Sequence, residues 1–127
     1  MKAQLSLETL IVFLLFITLL GISYVALSKF QEKASERARL ELAKSSFAAL
    51  SSAIHEACIL GDGNIREVRL QGMQATISSN GTAYNFSSGK FYAWASSSCQ
   101  VEVEYSAPSF DFLVKNKKGK IIVVPLS

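Results

Sequence analysis

The sequence predicts an α+β chain: one long N-terminal helix, apolar in its first half, followed by a small antiparallel β-sandwich-like head. Three observations carry this. Thr9 to Ser28 is a run of 20 residues without a charge. Lys29 to Leu60 contains neither Gly nor Pro. After Gly61 the apolar residues recur with a period near two instead of 3.6.

The apolar run is long enough to cross a bilayer, since about 20 helical residues at 1.5 Å rise match a hydrocarbon core about 30 Å thick. Gly21 is its weak point, at a cost of about 1 kcal/mol relative to Ala. Thr18, Gly21 and Ser23 form a patch of small side chains, which lets helices approach closely in an apolar medium. Lys29, Glu32, Lys33, Glu36, Arg37, Arg39 and Glu41 then give a mixed-charge segment. Arg37 with Glu41, and Glu41 with Lys44, sit at spacings where helix side chains meet. Leu40, Ala43, Phe47, Leu50, Ile54 and Ala57 follow at 3,4,3,4,3 spacing, an apolar stripe expected to pack on the chain's own C-terminal domain. Gly61 is a good C-terminal stop. The expected helix therefore runs from about Ser6 to about Leu60 and measures about 80 Å.

Seven short strands are expected after it. Ile65 to Leu70 is the first. Ala75 to Ser79 and Thr82 to Phe86 flank Asn80-Gly81, a strong hairpin signal. Lys90 to Ala95 places Phe91 and Ala93 on one face and Tyr92 and Trp94 on the other. Core packing accounts for one of these faces; a Tyr92/Trp94 face left outside would be an adhesive patch. Cys99, Val101, Val103 and Tyr105 alternate with polar residues until Ala107-Pro108 breaks the strand. Phe110 to Val114 and Ile121 to Val124 flank a turn at Lys117-Lys118-Gly119, and Pro125 ends the last strand.

Composition excludes several functions. A net charge of +3, scattered along 127 residues, does not argue for nucleic acid. Lys115, Lys117, Lys118 and Lys120 surround a glycine and read as a solvated turn. His55 is the single histidine and reads as a surface or packing residue. Asp62 and Asp111 lack neighbours for a metal site. No nucleophile elbow, phosphate loop or paired-carboxylate arrangement occurs, so neither enzymatic activity nor a cofactor is expected.

What precedes the apolar run matters as much as the run. Lys2-Ala3-Gln4-Leu5-Ser6-Leu7-Glu8 places a small residue, a Gln and then a carboxylate at its edge. An ordinary secretory signal with Ala26-Leu27-Ser28 as its cleavage site is one reading. A retained signal anchor is another. The third rests on resemblance: these seven residues, joined to the helix, resemble the class III signal peptide of archaeal type IV pilin-like proteins, the pilin/archaellin superfamily. The resemblance implies removal of residues 1–3 by a prepilin peptidase, which cuts between Ala3 and Gln4. It implies storage of the precursor in the membrane and export by a pilus assembly machinery. Copies of the chain would then join through their N-terminal helices into an extracellular filament, for adhesion. It also implies that Glu8 pairs with an N-terminal amine during assembly, its own or a neighbour's. A helix-dipole role for Glu8 in the first turn is the alternative. Members of this superfamily share a long N-terminal helix and a head resembling an immunoglobulin-like sandwich.

The expected organisation is thus a leader (1–3), a membrane and filament-core helix (4–28), its amphipathic continuation (29–60) and an extracellular head (61–127). In an extracellular head, Cys58 and Cys99 read as one disulfide enclosing about 40 residues, with a contribution of about 4 kcal/mol; two buried thiols are the alternative. Asn80-Gly81-Thr82 and Asn85-Phe86-Ser87 are N-glycosylation sequons. Asn80 is expected at an accessible hairpin tip, whereas Asn85 lies within a strand. Charge flanks point the other way: Lys2 precedes the run, while Lys29, Lys33, Arg37 and Arg39 follow it, a count that favours a cytoplasmic C-terminus. The cysteines, the sequons and the β-rich head suit the outside. The competing function is a membrane-anchored or secreted β-domain that binds a ligand without polymerising.

Overall fold

The computed structural model describes residues 2–126, apart from the side chains of Lys2 and Leu5. Met1 of the expected leader lies outside the described residues, as does Ser127. Helix α1 (Lys2–Leu60) is followed by β1 (Ile65–Arg69), β2 (Thr76–Asn80), β3 (Ala83–Ser88), β4 (Phe91–Ser96), β5 (Val101–Val103), β6 (Asp111–Lys117) and β7 (Lys120–Pro125). The chain is therefore α+β, with one long N-terminal helix and a small head of sheets. Two compact units part between Arg39 and Leu40.

The first unit is helix alone. Every side chain described in it is exposed, from Ala3 to Arg39. The helix runs unbroken through Gly21, where a Cβ would meet nothing within 4 Å. It also begins four residues earlier than the expected Ser6, because nothing between Lys2 and Leu5 opposes helical backbone.

The second unit combines the last third of α1 with two sheets, ordered β1-β6-β7-β5 and β2-β3-β4. Its core draws on all three. Leu50, Ile54 and Ala57 come from the helix; Val68, Phe112, Val114, Ile121 and Val123 from the larger sheet; Ile77, Tyr84 and Phe86 from the smaller. The expected stripe is thus the helix's contribution to this core, with Leu40 at its start left 42% exposed. Phe47 meets the rings of Tyr84 and Phe86 at 6.4 and 5.7 Å. Tyr84 donates its buried hydroxyl to Ser51 Oγ at 2.9 Å, which keeps a polar tip satisfied inside the core.

The end of the helix is held from two sides. Cys58, in its last turn, is disulfide-bonded to Cys99, with Cα atoms 5.9 Å apart. Buried Asn116 donates Nδ2 to the Ala57 carbonyl at 2.8 Å, one of the last four carbonyls that a helix leaves without an internal partner. Its Oδ1 accepts from Gly119 N–H at 3.0 Å, so one side chain joins the helix end to the β6–β7 turn.

Three details depart from the expected head. β5 pairs with β7 in parallel, whereas every other strand pair is antiparallel. The hairpin turn fixes β6 against β7; β5, which runs opposite to β6, then fills the far side of β7, and alternation along a strand carries no record of such direction. Tyr105 donates its hydroxyl to Pro125 O at 2.7 Å where the chain crosses from β5 towards β6. Because that crossing begins early, β5 covers Val101–Val103 and not Cys99 to Tyr105. Finally, Asn80 pairs with Ala83, so the β2–β3 turn is made by Gly81-Thr82. Gly81 takes φ 65° at the first central position, while Asn80 keeps strand backbone.

Candidate functional site

Leu7 to Phe30 carries a nearly continuous set of large apolar side chains on all sides of α1, and none is buried. Leu14 is 56% exposed and Phe16 58%. Single exposed apolar residues are ordinary, but a contiguous patch of this extent marks an interaction surface. By length and composition the segment could cross a membrane: its mean hydropathy reaches 2.7 over an 18-residue window. Within the second unit, by contrast, Leu50, Ile54 and Ala57 of the helical stripe are buried in that unit's own core.

The residues singled out at the N-terminus sit at the start of this helix. Ala3 and Gln4 lie in its first turn and are exposed. The first four N–H groups of a helix have no intrahelical partner, so the Ala3–Gln4 bond lies where helix is cheapest to open. Glu8 is four residues beyond Gln4, the spacing at which side groups on a helix face one another. With the helix starting at Lys2, Glu8 falls in the second turn, and no acidic residue occupies the first. The macrodipole acts mainly within the first turn, so it contributes little here. Glu8 is exposed beside Ile11 and Val12, and it meets no cation among the described residues. A carboxylate in such apolar company is costly once water is withdrawn unless it gains a partner.

The remaining candidates belong to the head. Cys58 and Cys99 are bonded. Asn80 is exposed at the end of β2, and half-buried Asn85 lies mid-strand in β3, opposite Ser78 and Trp94. Both asparagines occupy outward positions of the same three-stranded sheet. The lysine cluster forms the β6–β7 hairpin: Lys118 and Gly119 turn the chain, and Lys118 N–H donates to Asp62 Oδ1 at 2.8 Å. Lys120 ion-pairs with Glu102 across β7 and β5. His55 is exposed on the helix. No group of three His, Cys, Asp or Glu side chains suited to a metal occurs among the described residues.

Two features escape a reading of the sequence. Asn116 looks like one polar residue in a lysine-rich turn, yet it is 3% exposed and binds the helix end. For β4, alternation identifies two faces without saying which is inside. Phe91 packs edge-on to Phe86 at 6.1 Å, which leaves Tyr92 and Trp94 outside. Comparison of the chain with models of known families, with curated proteins and with solved structures finds no match.

Proposed function

We propose that the chain is a structural subunit of an archaeal type IV pilus-like surface filament, processed between Ala3 and Gln4 and assembled through its N-terminal helix, with adhesion as its role. The observation that carries this reading is the helix segment exposed on all sides, placed directly behind Ala3-Gln4 and Glu8. Such a surface needs lipid around it before assembly and copies of itself afterwards. Small side chains at Thr18, Gly21 and Ser23 suit close approach between helices, where packing and not water exclusion drives association. The new α-amino group of Gln4 would give Glu8 a cation one helical turn away. The precursor would reside in the cell membrane and the product in an extracellular filament, with a prepilin peptidase and the assembly machinery as its transient partners.

The test is the N-terminus of the native, cell-associated protein, read by mass spectrometry that allows for cyclised Gln. A start at Gln4 is expected, followed by filaments in electron micrographs. A start at Met1 would mean a signal anchor, and a start near Lys29 a secreted domain; either result removes the filament reading.

A further inference from the structure

The outer faces of the head's two sheets differ in chemistry. On the β1-β6-β7-β5 sheet the outward positions include Glu67, Arg69, Asp111, Lys115, Glu102 and Lys120. On the β2-β3-β4 sheet no outward position is charged. There the strand register builds rows. Thr76, Ser87 and Tyr92 lie side by side, and Ser78, Asn85 and Trp94 form the next row. Tyr92 is 62% and Trp94 69% exposed. Neighbouring strands are about 4.8 Å apart, and residues i and i+2 about 6.7 Å apart, so the two rings stand next to each other at one edge of a flat polar field.

We propose that this face binds a neutral, equatorially linked pyranose chain: it is a glycan-binding platform, with Tyr92 and Trp94 stacking on sugar rings and the rows of hydroxyl and amide groups bonding their hydroxyls. Such sugars present a flat array of axial C–H groups, which the electron-rich face of an aromatic ring attracts, and a rim of hydroxyls that both donate and accept. Ser, Thr and Asn side chains do the same. An anionic polymer is disfavoured, because none of the outward strand positions of this sheet carries a cation. A second protein copy fits less well: covering the rows with apolar surface would strand their donors and acceptors at about 1–3 kcal/mol each, whereas a glycan brings matching groups. The inference does not depend on polymerisation, since a monomeric anchored head would present the same face.

The test uses the full chain from a host without N-glycosylation, held in a detergent that has no sugar headgroup, titrated calorimetrically with cellohexaose and with chitohexaose. Binding of at least one hexasaccharide is expected. Trp94→Ala should weaken it at least tenfold and Tyr92→Ala about threefold or more. Ile65→Ser, an exposed apolar position on the other sheet, should leave it unchanged, and all three variants should keep the parental melting curve. Absence of binding to both probes, or equal binding by Trp94→Ala, overturns the proposal. So does loss of self-association in Trp94→Ala by sedimentation, which would assign the face to a second copy. Binding that vanishes when the chain carries its own glycan on Asn80 or Asn85 would assign the face to that glycan and overturn the proposal as well.

Discussion

Leu14 and Leu50 lie on the same helix, yet the first is 56% exposed and the second fully buried. The difference is not one of residue type. Around Leu14 the apolar residues encircle the helix, so no single neighbouring surface can bury them all. Around Leu50 they form one stripe, and a single sheet-lined surface suffices. The buried half is satisfied within its own chain. The encircled part is exposed throughout its own unit, so the two parts should answer to different measurements.

The largest effect on head stability is expected from Leu50→Ala. Truncation at this closed site should cost about 3–5 kcal/mol, through lost burial and a cavity, read from chemical denaturation of the full chain in micelles. Replacing Cys58 and Cys99 together by Ser should cost about 4 kcal/mol by the chain-entropy argument, and reduction of the native protein should reproduce that shift in midpoint. Asn116→Ala should cost about 1–3 kcal/mol, because the Ala57 carbonyl and Gly119 N–H both lose their buried partner. Leu14→Ala should move head stability by less than about 0.5 kcal/mol, while filament number counted in micrographs falls. Glu8→Gln is the finest probe: head stability unchanged, processing at Ala3–Gln4 intact by mass spectrometry, filament yield reduced. Normal filament numbers in that variant would remove Glu8 from assembly.

Much of the fold is legible in the sequence because its signals are local. The spacing of Ala43, Phe47, Leu50, Ile54 and Ala57 names the buried face of the helix before any partner is known. The breaks at Gly61, Gly81 and Pro108 punctuate the strands. What stays hidden depends on non-local register. The parallel pairing of β5 with β7, the shift of the turn from Asn80-Gly81 to Gly81-Thr82, and the choice between the two faces of Phe91–Ser96 are decided by which strands meet. Asn116 is hidden for the same reason, since its value lies in a carbonyl 59 positions away. At the candidate site, Ala3, Gln4 and Glu8 are legible as a pattern of residue types, but the start of the helix at Lys2, which moves Glu8 out of the first turn, is not.

The bond between Cys58 and Cys99 also has a mechanical side. It leaves the helix in its last turn and lands two residues before β5, with a sequence separation of 41. All of β1 to β4 lies inside the loop it closes. Tension entering the head along α1 is therefore handed to β5 through a covalent link that bypasses those four strands. Pulling on single oxidised molecules should release about 140 Å less contour than on reduced ones. The sheet that carries Tyr92 and Trp94 lies inside the closed loop and is tied to the loaded strand by Val101 N–H, which donates to Gly81 O at 2.8 Å, and Val103 N–H, which donates to Ser79 Oγ at 3.1 Å.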